Sequence, residues 1–390
     1  MISVEAALEQ LFTLVKPGAV ELVPLRRAAG RVLARDVAAT RRQPPFAASS
    51  MDGYALRRAE VEPDALFKVI GEAAAGHRFE GQVRAGQAVR IFTGAPLPEG
   101  ADFVVIQEDV TRRGDLITLG HRIGEKDNIR PAGVDFEIGD PLQAPRRLRP
   151  SDIALLAAMN IAEVPVSRRP VVALLATGDE LVQPGESPGP DQIIASNNYG
   201  LAAMFEDFGA EVRMLPIARD NKASLQQAFA LAKGGDLIVT IGGASVGDHD
   251  LVASVGAELG LEQSFYKVAM RPGKPLMAGR MGKAAMIGLP GNPVSAMVCG
   301  TVFVAPMLRV MQGLPAEAAP RHRMPLAADL PENGPRAHYM RARMQGGRVC
   351  PESSQDSSLL SVLSSSDVLL VRPPHDPPRK AGDMVDCINL

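Results

Sequence analysis

Residues 235–250 read GDLIVTIGGASVGDHD: an apolar, β-branched run from Leu237 to Ile241 passes straight into a glycine turn, a hydroxyl at Ser245 and carboxylates at Asp248 and Asp250. A continuous apolar run of this length bounded by glycines reads as a strand buried on both faces of a parallel sheet. In open α/β sheets, ligands bind where loops leave the carboxyl ends of strands, and glycines there let backbone N–H groups approach an anion closely. The loop suits a phosphate with its metal; the plainer alternative is an ordinary strand-to-helix turn. No lysine followed by serine or threonine succeeds the glycines, so it is not a Walker A loop, and it is not a good dinucleotide fingerprint.

Outward from this strand the pattern alternates. VVALLAT (171–177), a helical stretch over 198–208, EVRMLPI (211–217) and a helical stretch over 222–233 precede it, and MIGLP (286–290) with a helical run over 293–310 follows. Such alternation predicts a doubly wound parallel sheet with helices on both faces. The N-terminal half differs. After about forty residues of mixed helical and extended pattern, glycines at 71, 76, 81, 86, 94, 100 and 114 punctuate short apolar runs such as AVRIF and DFVVIQ, which predicts an all-β module. A helical segment PSDIALLAAMN begins at Pro150. Beyond the linker GLPAEAAP, short strands (HYMRARM, DVLLV, DMVDCINL) close the chain, and the leucines within PESSQDSSLLSVLSSSD mark an ordered loop.

At 390 residues the chain exceeds what one core usually supports, so two to four domains are expected. A net charge of −2 argues against nonspecific nucleic-acid binding. Cys299, Cys350 and Cys387 have neither metal-ligand spacing nor an even-numbered disulfide framework, which fits a reducing compartment. MISVEAALEQLFTLV is acidic and amphipathic, unlike a secretion signal, and no segment is expected to be long and apolar enough to span a bilayer. A cytoplasmic protein without nucleic-acid or membrane partners is expected.

Further turns carry polar chemistry. In TGDEL (177–181) a glycine turn presents Asp179 and Glu180 at the same sheet edge, suited to a metal or a nucleotide hydroxyl; the plainer reading of Asp179 is a helix N-cap. In MRPGKPLM (270–277) prolines hold Arg271 and Lys274 in a stiff turn, a fork and a point charge that together suit an oxyanion. GLPGNPVS (288–295) places Ser295 near a helix start, where amides and a hydroxyl make an anion site or a capped turn. Asp52, Thr93 and Asp135 stand on polar turns of the N-terminal half, in SSMDGYAL, RIFTGAPLPEGAD and GVDFEIGD.

The succession SMDGYA, TGAPLPEGAD, TGDEL, GGASVGDHD, RPGKP and GLPGNPVS resembles the molybdopterin molybdenumtransferase (molybdenum insertase) family, whose relatives include the E domain of gephyrin. The resemblance covers nearly the whole chain. It implies a multidomain α/β and β fold: a connecting domain (21–43 and 139–165), an inserted elongated β module (44–138), a central doubly wound molybdopterin-binding α/β domain (1–20 and 166–312) and a C-terminal β-barrel-like domain (319–390). It implies an enzyme of molybdenum cofactor biosynthesis that takes adenylylated molybdopterin and molybdate, cleaves the adenylate with a divalent cation such as Mg2+, and releases molybdenum cofactor with AMP. It implies a homodimer, with transient contact to other cofactor-biosynthesis proteins open.

By the same resemblance Glu180, Asp220 and Asp250 match acidic positions that hold Mg2+ and orient water. Ser245, Gly242, Gly243 and Gly247 line the phosphate side. Lys274, with Ser295, Arg341 and Ser357, matches positions associated with molybdate, and Asp52, Thr93 and Asp135 match functional positions that reach the site across the dimer. The chain departs from the family pattern in three places. Arg271 stands where lysine is frequent, Ala195 where an acidic residue commonly precedes the Ser196–Asn197 pair, and Asp356 where the motif containing Ser357 usually has glycine. A cofactor pyrophosphatase on the same α/β domain accounts for the carboxylates and glycines but not for SMDGYA, TGAPLPEGAD or GLPGNPVS. A noncatalytic scaffold accounts poorly for the charged set, and an adenylyltransferase of the same pathway accounts poorly for the large β segments.

Overall fold

The computed structural model describes residues 1–243 and 251–390. Its central sheet has six strands in the order Glu211–Met214, Val171–Ala176, Leu237–Ile241, Ala284–Leu289, Met277–Met281, Leu261–Tyr266. The first four run parallel, as expected. Met277–Met281 runs antiparallel to both its neighbours, so Leu261–Tyr266 at the edge resumes the original direction, which the alternation did not predict. Only Gly282 and Lys283 separate Met281 from Ala284, with Gly282 at φ 59°, and so short a hairpin forces strand reversal.

Side-chain alternation explains why this sheet is buried on both faces. Val172 and Leu174, with Leu237, Val239 and Ile241, enter one core; Ala173, Leu175 and Ile238 enter the other. Helix Asn197–Asp207 and the helical run from Pro293 cover the first face through Leu201, Phe205, Val294 and Val298. Helices Lys222–Leu231 and Leu251–Glu258 cover the second through Leu225, Phe229, Val252 and Val255. The N-terminal helix Val4–Leu14 joins the first core with Val4, Ala7, Leu8 and Leu11, the one-sided spacing of an amphipathic helix, and Ser3 Oγ caps it by accepting from the Ala6 amide at 3.1 Å.

The helical run Pro293–Met311 corrects one expectation, because over 19 residues it is apolar and long enough to cross a bilayer. Its apolar window is 89% buried inside the protein, so this is the composition of a core helix. It is also not uniformly α-helical. Pro306 cannot donate an amide bond, and the preceding turn Gly300–Val304 widens to a π-helical one in which the Ala305 N–H reaches the Gly300 carbonyl.

The N-terminal half forms a separate six-stranded sheet in the order Phe103–Ile106, Gly53–Leu56, Gln87–Ile91, Leu66–Ala73, Leu116–Leu119, Val110–Arg113. It too is buried on both faces: Tyr54, Leu56, Phe103 and Val105 pack on one side, Ala55, Val89 and Val104 on the other. Between the two sheets, strands Val20–Pro24, Glu163–Ser167, Val32–Leu33 and Arg146–Arg147 make a four-stranded sheet beside helix Pro150–Ala158. The C-terminal sheet orders Met270–Arg271, Ala337–Gln345, Val368–Arg372, Met384–Asn389 and His322–Pro325, with Arg348–Pro351 paired to Ala337–Gln345. A bridge between Leu326 and Val349 joins its two sides, so the sheet curls around Val368, Leu370, Val385 and Cys387. The serine-rich stretch is ordered there, with a short helix over Leu360–Ser364.

Candidate functional site

A cleft of about 810 Å³ opens at the carboxyl edge of the central sheet, where the ends of three parallel strands meet. After strand Val171–Ala176, the Thr177 amide donates to the Ile241 carbonyl at 3.0 Å and the Gly178 amide to the Ala218 carbonyl at 3.1 Å, so the turn is tied to both neighbouring loops. Gly178 has φ 151°, and a Cβ there would lie 2.4 Å from Glu180 Oε2. No helix follows this turn. The N-cap reading of Asp179 is therefore corrected: Asp179 Oδ1 accepts a hydrogen bond, but from the Asp220 amide across the cleft edge at 3.1 Å. Arg219 completes the lacing by donating to the carbonyls of Asp179 (3.0 Å) and Leu181 (3.3 Å).

This lacing crowds like charges. Burial, then the neighbouring Asp179 and Glu180 carboxylates, raise the Asp220 carboxyl above its ordinary range. Glu180 and Asp220 both line the cleft. Among the described residues no three His, Cys, Asp or Glu side chains converge as a metal-binding group. Asp250, Ser245 and Gly247 lie outside the described residues, so the acidic set is described here without Asp250.

Another part of the cleft wall is bare backbone. Gly242 (φ 86°) donates its amide to the Leu289 carbonyl at 3.1 Å, and a Cβ on it would stand 2.8 Å from the Thr177 carbonyl oxygen. Gly243 (φ 66°) is tighter still, because a Cβ would fall 2.3 Å from Val252 Cγ2. Ile193, Ile194, Pro275 and Pro290 supply apolar lining.

The third strand end is GLPGNPVS. Asn197 Nδ2 donates to the Gly291 carbonyl at 2.7 Å, Asn292 Nδ2 to Ser357 Oγ at 3.1 Å, and the Val294 amide to the Ser357 carbonyl at 3.0 Å. The C-terminal domain thus docks its serine loop on the start of the Pro293 helix, bringing Ser357 to the cleft mouth and Ser358 into its lining. Ser295 is buried one turn inside that helix.

Arg341 acts behind this loop. Its guanidinium is 1% exposed and is spent on the carbonyls of Asp356 (2.7 Å) and Ser354 (3.3 Å) and on Gln355 Oε1 (3.4 Å). Asp356, where glycine is usual, closes a turn of its own: its Oδ1 accepts from the Ser358 amide (2.8 Å) and hydroxyl (2.7 Å), which lower its carboxyl.

The RPGKP turn is anchored from below. Gly273 (φ 104°) sits so close to the Pro293 helix that a Cβ would lie 2.5 Å from Cys299 Sγ. Arg271 and Lys274 are exposed, and Pro275 carries the turn into the cleft lining.

In the inserted sheet, Asp52 and Thr93 come together. Asp52 Oδ1 accepts from both the amide and the hydroxyl of Thr93, each at 2.8 Å, and these bonds hold the carboxyl below its ordinary range. Asp135 stands exposed on another turn, its amide donating to the Gln43 carbonyl at 3.0 Å. Among the described residues lining the cleft, none comes from the inserted sheet.

Sequence reasoning left several contributors unassigned. Asn292 and Asn197 lay inside quoted motifs, and their carbonyl and serine partners are far away in the chain. Arg219 carried no local signal.

Comparisons with known proteins agree along the chain. Residues 2–160 match the MoeA N-terminal region (domain I and II), residues 173–310 a probable molybdopterin binding domain, and residues 323–390 the MoeA C-terminal region (domain IV). A molybdopterin molybdenumtransferase of Haemophilus influenzae is 37% identical over 321 residues, covering 82% of this chain and 79% of that protein. Molybdopterin molybdenumtransferase 2 of Mycobacterium tuberculosis is 35% identical, covering 89% of each. The crystal structure of a molybdopterin biosynthesis moeA protein from Pyrococcus horikoshii OT3 superposes with a TM-score of 0.87 at 27% identity over the full length of both chains. Whole-chain likeness in sequence, domain order and fold makes this chain a member of the molybdopterin molybdenumtransferase family, enzymes of molybdenum cofactor biosynthesis.

Proposed function

We propose that the chain inserts molybdate into adenylylated molybdopterin, with cation-dependent cleavage of the adenylate and release of molybdenum cofactor and AMP. The observation that carries this reading is that Glu180 and Asp220 line the same cleft as the side-chain-free backbone of Gly242 and Gly243. Backbone without Cβ atoms suits the close approach of a phosphoanhydride, and crowded carboxylates suit a hard cation.

The acidic edge fits Mg2+ in its chemistry. Its donors are carboxylate oxygens, and the Asp220 carboxyl is raised by burial and then by the neighbouring Asp179 and Glu180 charges, of which a bound cation relieves the second part. Glu180 and Asp220, with Asp250, are the residues assigned to it. When bound, the ion neutralises charge that develops on the departing phosphate.

The chain's own residues do the rest. Gly242 and Gly243 admit the phosphates, and Ser245 and Gly247 are assigned to the phosphate by the family resemblance. Arg271 and Lys274 bring exposed positive charge to the cleft mouth for the molybdate oxygens, and Ser357, held by Asn292, adds a hydroxyl. Arg341 positions that serine loop, and Ser295 completes the set assigned to the oxyanion. Asp52, Thr93 and Asp135 complete the site from the second subunit of a homodimer in the cytoplasm.

The test is direct. Purified protein incubated with adenylylated molybdopterin, MgCl2 and molybdate should release AMP and reconstitute an apo-molybdoenzyme. AMP release without reconstitution at any molybdate concentration would indicate a pyrophosphatase, and absence of both would refute the assignment.

A further inference from the structure

We infer that Arg90 is a positioning residue that fixes the Asp52 turn for catalysis; the inference rests on the role proposed for Asp52. Arg90 lies on strand Gln87–Ile91, directly opposite Tyr54 in the antiparallel pair with Gly53–Leu56. Its guanidinium lies over two aromatic rings, 5.1 Å from the Tyr54 ring centroid and 4.6 Å from that of Phe92. Two cation–π contacts of this kind restrict the fork before any ligand arrives.

The fork then takes hold of the backbone around Asp52. Nη1 donates to the Gly53 carbonyl at 3.0 Å, and Nη2 to Gln107 Oε1 at 2.6 Å. The backbone N–H of Gln107 in turn donates to the Asp52 carbonyl at 3.0 Å. The carbonyls of Asp52 and Gly53 are therefore both held by one Arg90–Gln107 unit. Gly53 permits this because its Cα faces the strand Phe103–Ile106 so closely that a Cβ would stand 2.0 Å from the Val105 carbonyl oxygen.

The result is a carboxylate with little freedom left. Thr93 fixes Oδ1 twice, the backbone is clamped on the carboxyl side, and the positive charge of Arg90 favours the ionised form. Among the described residues Oδ2 accepts no hydrogen bond, which leaves it for a ligand. An arginine serving strand stability alone has no need of this convergence on one turn. Lysine keeps the charge and the stem but reaches only one of the two acceptors at good geometry.

Kinetics of AMP release from adenylylated molybdopterin test the assignment, with folding checked by circular dichroism and thermal unfolding. Arg90→Met should lower kcat by about tenfold or more with a smaller change in KM, and Arg90→Lys should recover little of it, because aim rather than charge is lost. Gln107→Ala, which leaves the stacked arginine in place, should give a smaller loss in the same direction. Arg90→Met combined with Asp52→Asn should be no slower than Asp52→Asn alone, the behaviour of residues acting as one unit. Full rescue by Arg90→Lys, multiplied losses in the double variant, or wild-type turnover of Arg90→Met beside an impaired Asp52→Asn would each overturn the inference and leave the proposed reaction standing. Wild-type turnover of Asp52→Asn would remove the role of Asp52 itself, and this inference with it. Should Arg90→Met fail to fold, Arg90→Lys and Gln107→Ala carry the same comparison.

Discussion

The cleft of the central sheet and the Asp52 turn of the inserted sheet hold their carboxylates by opposite means. Asp220 is raised, by burial and by Asp179 and Glu180 beside it, whereas Asp52 is lowered, by two hydrogen bonds from Thr93. The first arrangement crowds like charges at a partly buried edge; the second has one carboxylate oxygen held twice within the chain and the other open. Shape follows the same division. The cleft is defined by glycines whose Cβ atoms have no room, and the Asp52 turn by side chains that converge on it. One chain thus carries a crowded acidic cleft and a preorganised acceptor, and the inserted sheet lines none of the former's described wall. That division suits two regions that meet only when two copies associate.

The largest expected effect breaks the cleft by shape alone. Gly243→Ala places a methyl group where Val252 Cγ2 already stands, in a left-handed conformation that non-glycine residues avoid. We expect strain of about 1–3 kcal/mol and a loss of AMP release of roughly a hundredfold or more, since a displacement of this size misplaces bound phosphate. Turnover within twofold of wild type would show that the glycine wall does not bind the substrate.

Asp220→Asn tests the electrostatic half. A carboxyl whose folded pKa is raised costs stability as pH climbs through and above its unfolded value, so at neutral pH the amide should make cation-free protein slightly more stable. The same change should shrink the additional rise in Tm produced by MgCl2, because that rise measures preferential binding to the folded state. We expect turnover to fall by about a hundredfold. An undiminished Mg2+ shift in the variant would move the cation away from this edge.

Complementation joins the two regions. Mixed dimers of Asp52→Ala and Asp250→Ala chains, formed by differential tagging, would each contain one intact composite site and one doubly damaged one. Activity should return to about half of wild type per mixed dimer. Mixed dimers as inactive as either parent would place both residues in a site built within one subunit.

Much of this organisation was legible in the sequence, for identifiable reasons. The strand Leu237–Ile241 and its glycine turn announced the sheet because a doubly buried strand must be continuously apolar. Asp52 and Thr93 were named from separate motifs, but their hydrogen bonds span 41 residues, and no local pattern encodes such a pairing. The antiparallel pairing at the sheet edge went unread because the two-residue turn at Gly282 interrupts an apolar stretch that resembles the parallel ones on either side. Asp179 misled for a different reason. A side chain that caps a helix and one that accepts an amide from a distant loop use the same oxygen, and the donor, Asp220, is visible only in three dimensions. Arg341 shows the same limit: it was assigned to molybdate by resemblance, and the structure turns its buried guanidinium toward the loop carbonyls behind Ser357.

The smallest effect sharpens the comparison at the seam between the central and C-terminal sheets. His338 lies opposite Arg271 on one neighbouring strand and Arg372 on the other, with Arg336 and Arg341 nearby. Burial, and then these four guanidinium charges, push its pKa down to about 4. The ring is therefore neutral in the folded protein at pH 7, while an unfolded chain takes up the proton near pH 6.5. Its contribution is fully present above about pH 6.5 and is lost as pH falls toward 4, because the unfolded state binds more protons across that window. Solvent screening of the half-buried ring limits this to on the order of 1 kcal/mol, or about 2–4 °C in Tm. His338→Gln, which cannot take up a proton, should lose less stability than wild type between pH 7 and pH 5 while matching it above pH 7. Parallel Tm curves for the two proteins across that range would mean that this arginine cluster leaves the histidine free to ionise, and that the charge beside the RPGKP turn is open to water.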